Sequence, residues 1–97
     1  MTVHAMAEIR PNEGDLDRVR DILLQMVEVT RKEDGNIKYD LYIAEDRKSF
    51  HIIEAWRDEV SLKAHMSTDS FTAALEELGY LVSEKPRTFR MSPVQSH

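Results

Sequence analysis

The sequence predicts a single α+β domain in the order strand, helix, strand, strand, helix pair, strand. Two periodicities carry this prediction. Residues 2–10, 36–44 and 49–57 alternate in side-chain character with the two-residue period of a strand. Residues 15–33, and the stretch from Phe71 to Leu78, repeat apolar side chains at the three- and four-residue spacing of a helix. A third observation is that the glycines stand singly at positions 14, 35 and 79, at or near the borders of these segments. With 97 residues, 41% of them apolar and 32% charged, the chain can form one small core and is unlike a disordered segment.

In the first strand, Val3, Ala5, Ala7 and Ile9 share one face, and His4, Met6, Glu8 and Arg10 the other. Pro11-Asn12-Glu13-Gly14 ends it as a turn. The long helix carries Leu16, Val19, Leu23, Met26, Val27 and Thr30 as its apolar stripe. Asp15 and Asp17 near its start and Arg31 and Lys32 near its end suit the helix dipole, and Gly35 is expected as a left-handed cap. In the second strand Ile37, Tyr39, Leu41 and Ile43 share a face. Glu45-Asp46-Arg47-Lys48 then turns the chain into a hairpin with the third strand, where Phe50, Ile52, Glu54 and Trp56 alternate with His51, Ile53 and Ala55. Asp58 is placed to cap a short helix over 59–66, and Ser67 or Thr68 to cap another ending at Leu78. Phe71, Ala74, Leu75 and Leu78 form the stripe of that helix, with Gly79 as its terminal cap. Pro86 confines the last strand to an edge or a bulge, and residues 92–97 are expected to fray. The order is the β-α-β-β-α-β pattern of a ferredoxin-like fold, which hosts many activities.

Both faces of the third strand are largely apolar, and one layer of helices covers only one face of a sheet. A second subunit is the economical cover for the other. A chain this short buries only about 60–65% of its unfolded surface, which also favours a pocket completed by a partner subunit.

The charge balance is 13 basic against 18 acidic residues, net −5, which argues against nucleic acid as a partner. Lys85, Arg87 and Arg90 give the last 13 residues +3 with no acid, leaving −8 for the rest. This basic stretch suits a solvated edge, with an anion site as the alternative. No cysteine is present, so thiolate nucleophiles, thiolate metal sites and disulfides are excluded, and a reducing cytoplasm is the expected compartment. No apolar run approaches a membrane span, and the first eight residues lack the pattern of a signal peptide. Glycine-rich phosphate loops, a Gly-x-Ser-x-Gly elbow and close His-x-x-x-His spacing are absent; the histidines stand at 4, 51, 65 and 97. No metal or cofactor is therefore expected. Any chemistry would rest on a few side chains and the substrate itself.

The segment from Phe50 to Phe71 resembles the antibiotic biosynthesis monooxygenase family. Glu54-x-Trp56, Asp58, Leu62, His65, Thr68 and Phe71 match that family in order and spacing. So do Ala7-Glu8-Ile9-Arg10 up to Gly14, and Gly35-x-x-x-Tyr39-Asp40-Leu41. The resemblance spans roughly residues 3–90. It implies a homodimer, sheet against sheet, in a dimeric α+β barrel, with a pocket between sheet and helices. It also implies cofactor-free oxygenation of quinols or polyketide-like aromatics with O₂. Other branches process a phosphorylated autoinducer-2 signal or degrade haem. The haem branch is disfavoured, because the first strand has no Asn and Thr72-Ala73-Ala74-Leu75-Glu76-Glu77 has no His. Many members carry Pro-His before the aromatic, where this chain has Asp69-Ser70. The alternatives are an isomerase acting on a small phosphorylated signal of the autoinducer-2 kind, with Arg87 or Arg90 at the phosphate, and, given that loss, a non-catalytic dimeric ligand-binding or stress module.

His65 is the first candidate, as proton acceptor or hydrogen-bond donor to a substrate oxygen; the plainer reading is a packed helix-end histidine. Glu54, an acid in an apolar strand, is either an acid–base group or a structural hydrogen-bonding partner. Trp56 either stacks on a planar substrate or fills the core. Tyr39 and Phe71 are expected as core or pocket wall, and Tyr42 and Tyr80 likewise. His4 and His51 are expected on the sheet face opposite Trp56.

Overall fold

The structure, a computed structural model, describes residues 1–95. Its elements are β1 (Val3–Ile9), α1 (Leu16–Thr30), β2 (Asn36–Ile43), β3 (Phe50–Trp56), α2 (Glu59–Met66), α3 (Asp69–Leu78) and β4 (Arg87–Met91). The four strands form one antiparallel sheet in the order β2-β3-β1-β4, the ferredoxin-like arrangement. No helix among the described residues is long and apolar enough to cross a membrane.

Alternation sorts the sheet into two faces. Ala5 and Ile9 of β1, Tyr39 of β2, and Phe50, Ile52, Glu54 and Trp56 of β3 turn toward the helices and are buried. Val19, Leu23 and Val27 of α1, Leu62 of α2 and Leu78 of α3 close on them from above. These residues are the apolar stripes, and their removal from water is the main force holding the helix layer down.

Among the described residues no helix covers the opposite face. His4, Met6, His51, Ile53, Tyr42, Phe89 and Met91 lie there, with Tyr42 54% and Phe89 and Met91 each 38% exposed. His4 and His51 thus stand opposite Trp56, as expected.

Four details differ from the sequence reading. Ile37 leaves its predicted face because a register shift between Asn36 and Lys38 makes it the extra residue of a bulge; it is 59% exposed. Gly79 ends α3 as its C-cap, as read, with a right-handed backbone (φ −55°), and the chain runs on through turn bonds from Tyr80 N–H to Glu77 and from Leu81 N–H to Leu78. This carries Leu81 into the core and leaves Tyr80 86% exposed, so Tyr80 is neither core nor pocket wall. Tyr42, on the open face, is likewise no part of the core. Arg31 leaves the helix end: its Nε donates to the Tyr39 carbonyl (3.1 Å) and a second nitrogen to Asp40 (2.9 Å), tying α1 to β2.

Pro86 precedes β4, which forms the sheet edge beside β1. Residues 92–95 follow as exposed, irregular chain, and the remaining two of the predicted frayed tail lie outside the described residues.

Candidate active site

His65 is set in place by two helix caps. The Asp58 carboxylate accepts from Ser61 N–H (2.8 Å) and starts α2, which fixes the phase that turns His65 inward. Thr68 caps α3 by accepting from Phe71 N–H (3.1 Å), while its hydroxyl donates to the His65 carbonyl (2.9 Å). The chain therefore bends sharply after His65 and brings Phe71 back against it.

The imidazole is 3% exposed and ringed by aromatics. Trp56 lies 4.8 Å from it at 33°, Phe71 4.9 Å at 65° and Tyr39 5.5 Å at 64°, measured between ring centroids. Its Nδ1 is 2.9 Å from Glu33 Oε1. A neutral imidazole that donates from Nδ1 to this carboxylate keeps its lone pair on Nε2. Among the described residues Nε2 has no hydrogen-bonding partner, and no buried side-chain nitrogen or oxygen lacks both partner and solvent contact. Nε2 therefore opens on accessible space.

His65 borders two such spaces, and the more apolar is a cavity of about 170 Å³ between the sheet and α2 and α3. Its floor follows from the strand register. One row across the helix-facing side of the sheet runs Tyr39, Glu54, Ala5, Arg90, and the next runs Leu41, Ile52, Ala7, Thr88. Ala5 and Ala7 are the only short side chains of their rows on the two inner strands, so the cavity forms above them. His65, Met66, Phe71 and Leu75 make its roof. A second, wider groove of about 500 Å³ lies between α1 and α3 and also reaches His65 and Phe71.

Glu54 is buried and accepts a 2.7 Å hydrogen bond from Trp56 Nε1. Burial, together with the nearby Glu54 carboxylate, raises the pKa of the Tyr39 hydroxyl well above its ordinary value. Tyr39 thus keeps its proton, while a hydrogen bond with the Thr30 side chain pulls the other way.

The structure brings four of the five sequence candidates, His65, Glu54, Tyr39 and Phe71, onto one cavity. The fifth, Trp56, is fully buried behind His65 and Glu54 and lines none of the cavities described. Here it braces those two groups instead of forming a pocket wall. Sequence reading missed Glu33. It sits in the turn after α1, 32 residues from His65, and only folding joins them. Gly35 helps to make that junction: at φ +84° a side chain there would run into Ser61 of α2, and its carbonyl accepts from Arg57 N–H (2.8 Å).

A sequence model of the antibiotic biosynthesis monooxygenase family matches residues 2–77. The chain belongs to this family. As a family member it has a monooxygenase-type relative in the putative monooxygenase Rv0793 of Mycobacterium tuberculosis (strain ATCC 25618 / H37Rv). The two are 25% identical over 92 residues, covering 95% of this chain and 91% of the relative. The solved structure of Rv0793 superposes with a TM-score of 0.93 at 24% identity, over 99% of this chain and 98% of that one. PA3566 from Pseudomonas aeruginosa gives a TM-score of 0.89 at 24% identity, over 97% and 95% of the two chains. These likenesses establish the fold, and membership in the antibiotic biosynthesis monooxygenase family supports a monooxygenase-like function.

Proposed function

We propose that the protein is a monooxygenase of small, electron-rich hydroxyaromatic compounds such as quinols, in which the substrate supplies the electrons. The observation that carries this reading is His65: a buried imidazole, paired through Nδ1 to Glu33, with Nε2 unpartnered and the residue lining an apolar cavity.

An apolar cavity of about 150 Å³ is known to hold a benzene ring. The cavity here is of that size, so it suits one substituted ring and not a polycycle. His65 Nε2 takes the proton of a ring hydroxyl and becomes imidazolium, held by the Glu33 carboxylate and packed against the Trp56 ring. The Tyr39 hydroxyl donates to the phenolate oxygen. The deprotonated ring is electron-rich enough to react with O₂ directly. For a hydroquinone the balance closes without another reductant: quinol plus O₂ gives hydroxyquinone plus water, with one oxygen atom in the ring and the other in water. Walls of Ile52, Leu62 and Phe71 keep bulk water from the anion.

The uncovered apolar face supports a homodimer joined sheet to sheet. The cavity lies mainly between the helices and the other face, with Met6 and Phe89 also on its border, so each subunit carries its own.

Oxygen uptake with hydroquinone and methyl-substituted quinols, by wild type and by His65→Gln, tests the reading. Turnover above autoxidation that falls about 10²-fold or more in the variant is expected for loss of a general base. Equal rates in both proteins would refute it, and ligand binding without oxygen uptake would point to a binding module.

A further inference from the structure

The cavity has two chemically different ends, and its floor sets their separation. Along the row Tyr39, Glu54, Ala5, Arg90, only an alanine methyl stands between Glu54 and Arg90. Strands lie about 4.8 Å apart, so the backbones of Glu54 and Arg90 are roughly 10 Å apart across that methyl. The inner end holds His65, Tyr39 and the Glu54 carboxyl; the outer end holds Arg90 and Thr88. We propose that the substrate is a hydroxyaromatic carboxylate, its hydroxyl at His65 and its carboxylate on the opposite side of the ring at Arg90. This rests on the reading of the cavity given above and adds the polarity of the molecule that fills it.

Arg90 is available for this role. Its guanidinium makes a two-pronged ion pair with Glu59 at the start of α2, Nη1 to Oε1 at 2.9 Å and Nη2 to Oε2. Both partners are about half exposed, 53% for Arg90 and 44% for Glu59. Both partners stay open to water, so Glu59 can be exchanged for a substrate carboxylate that makes the same two-pronged contact. The same fork fits either carboxylate, and the substrate's would bind beside an apolar wall where water competes less. Charge also fixes the direction of entry. A carboxylate pushed to the inner end would face Glu54 and, behind His65, Glu33. At the outer end it meets a cation. The other basic residue of β4 offers no competing site, because Arg87 faces the opposite side of the sheet, 3.6 Å from Glu8.

Calorimetric binding of 4-hydroxybenzoate and of its methyl ester, without oxygen, tests the proposal separately from turnover. Wild type is expected to bind the acid roughly tenfold more tightly than the ester, the scale of one charge-assisted pair. Arg90→Gln should abolish that preference and leave ester binding within about twofold. Glu59→Gln should tighten the acid about threefold, because it removes the group that competes for Arg90. A purely structural strap would not produce that gain. Equal binding of acid and ester by wild type would overturn the proposal, as would an acid preference surviving in Arg90→Gln. Weaker acid binding in Glu59→Gln, or no binding of either probe, would overturn it too. Oxygen uptake from a neutral quinol alongside any of these failures would leave the proposed reaction standing.

Discussion

Ala5→Leu fills the proposed substrate site while leaving every polar group in place. Ala5 is 8% exposed, and its methyl sits at the floor of the 170 Å³ cavity. The substitution adds three carbons. If the space above is open, they enter it without displacing neighbours. Burying them is worth about 2.4 kcal/mol at ~0.8 kcal/mol per carbon, less ~0.5–1 kcal/mol for the ordered leucine, leaving about 1–2 kcal/mol of gain. At 4–8 °C per kcal/mol for a domain of this size, Tm should rise by roughly 4–15 °C. If the site were instead packed solid, overpacking would cost about 1–3 kcal/mol and lower Tm by a similar margin. Thermal unfolding followed by circular dichroism reads the first quantity, and oxygen uptake with hydroquinone the second. The account expects a raised Tm with activity lost. A fall in Tm of more than about 4 °C, or full activity in the variant, would refute the assignment of this cavity as the substrate site.

Trp56→Phe removes the 2.7 Å donor to the buried Glu54 carboxyl and leaves a gap behind His65. Loss of a hydrogen bond to an ionisable group alone costs about 1.5–3 kcal/mol, so denaturant unfolding should show at least that loss; an unchanged midpoint would contradict the bracing role. Tyr39 has a folded-state pKa raised above its unfolded value of 10.0. Its contribution is therefore complete below pH 10 and shrinks as pH climbs toward the folded value, because only the unfolded chain then releases the proton. Tyr39→Phe should flatten the alkaline loss of stability in unfolding curves taken at successive pH values; an identical loss in both proteins would count against it. Phe89→Glu places a charge on the uncovered sheet face. Light scattering should show twice the chain mass for wild type and a shift to the single chain in the variant, and a monomeric wild type would remove the dimer from the account.

Much of this architecture follows from local pattern. The stripes of α1 and α3 and the alternation of β2 and β3 rest on periodicity, which a single sequence displays directly, and they turn Tyr39, Glu54 and Phe71 toward the space between sheet and helices. What stayed hidden depends on contacts between distant residues. Glu33 is an ordinary acid after a helix until the turn at Gly35 docks on Ser61 and delivers it to His65. Trp56 is a plausible stacking surface until burial shows it behind His65. The bulge at Ile37 and the right-handed Gly79 were illegible for a related reason: tertiary fit, not residue preference, decides whether a strand keeps its register or a glycine uses its freedom. Arg90 acquires meaning only from the pairing of β4 with β1, which sets it across Ala5 from Glu54.

The central claim is that His65 Nε2 removes a proton from a ring hydroxyl and so triggers direct reaction with O₂. Reaction of hydroquinone with ¹⁸O₂, followed by mass spectrometry of the product, tests it most directly. The account predicts hydroxyquinone carrying one labelled oxygen atom, formed by wild type well above the uncatalysed rate and by His65→Gln at close to that rate. Unlabelled product, or labelled product formed equally fast by the variant, would contradict it.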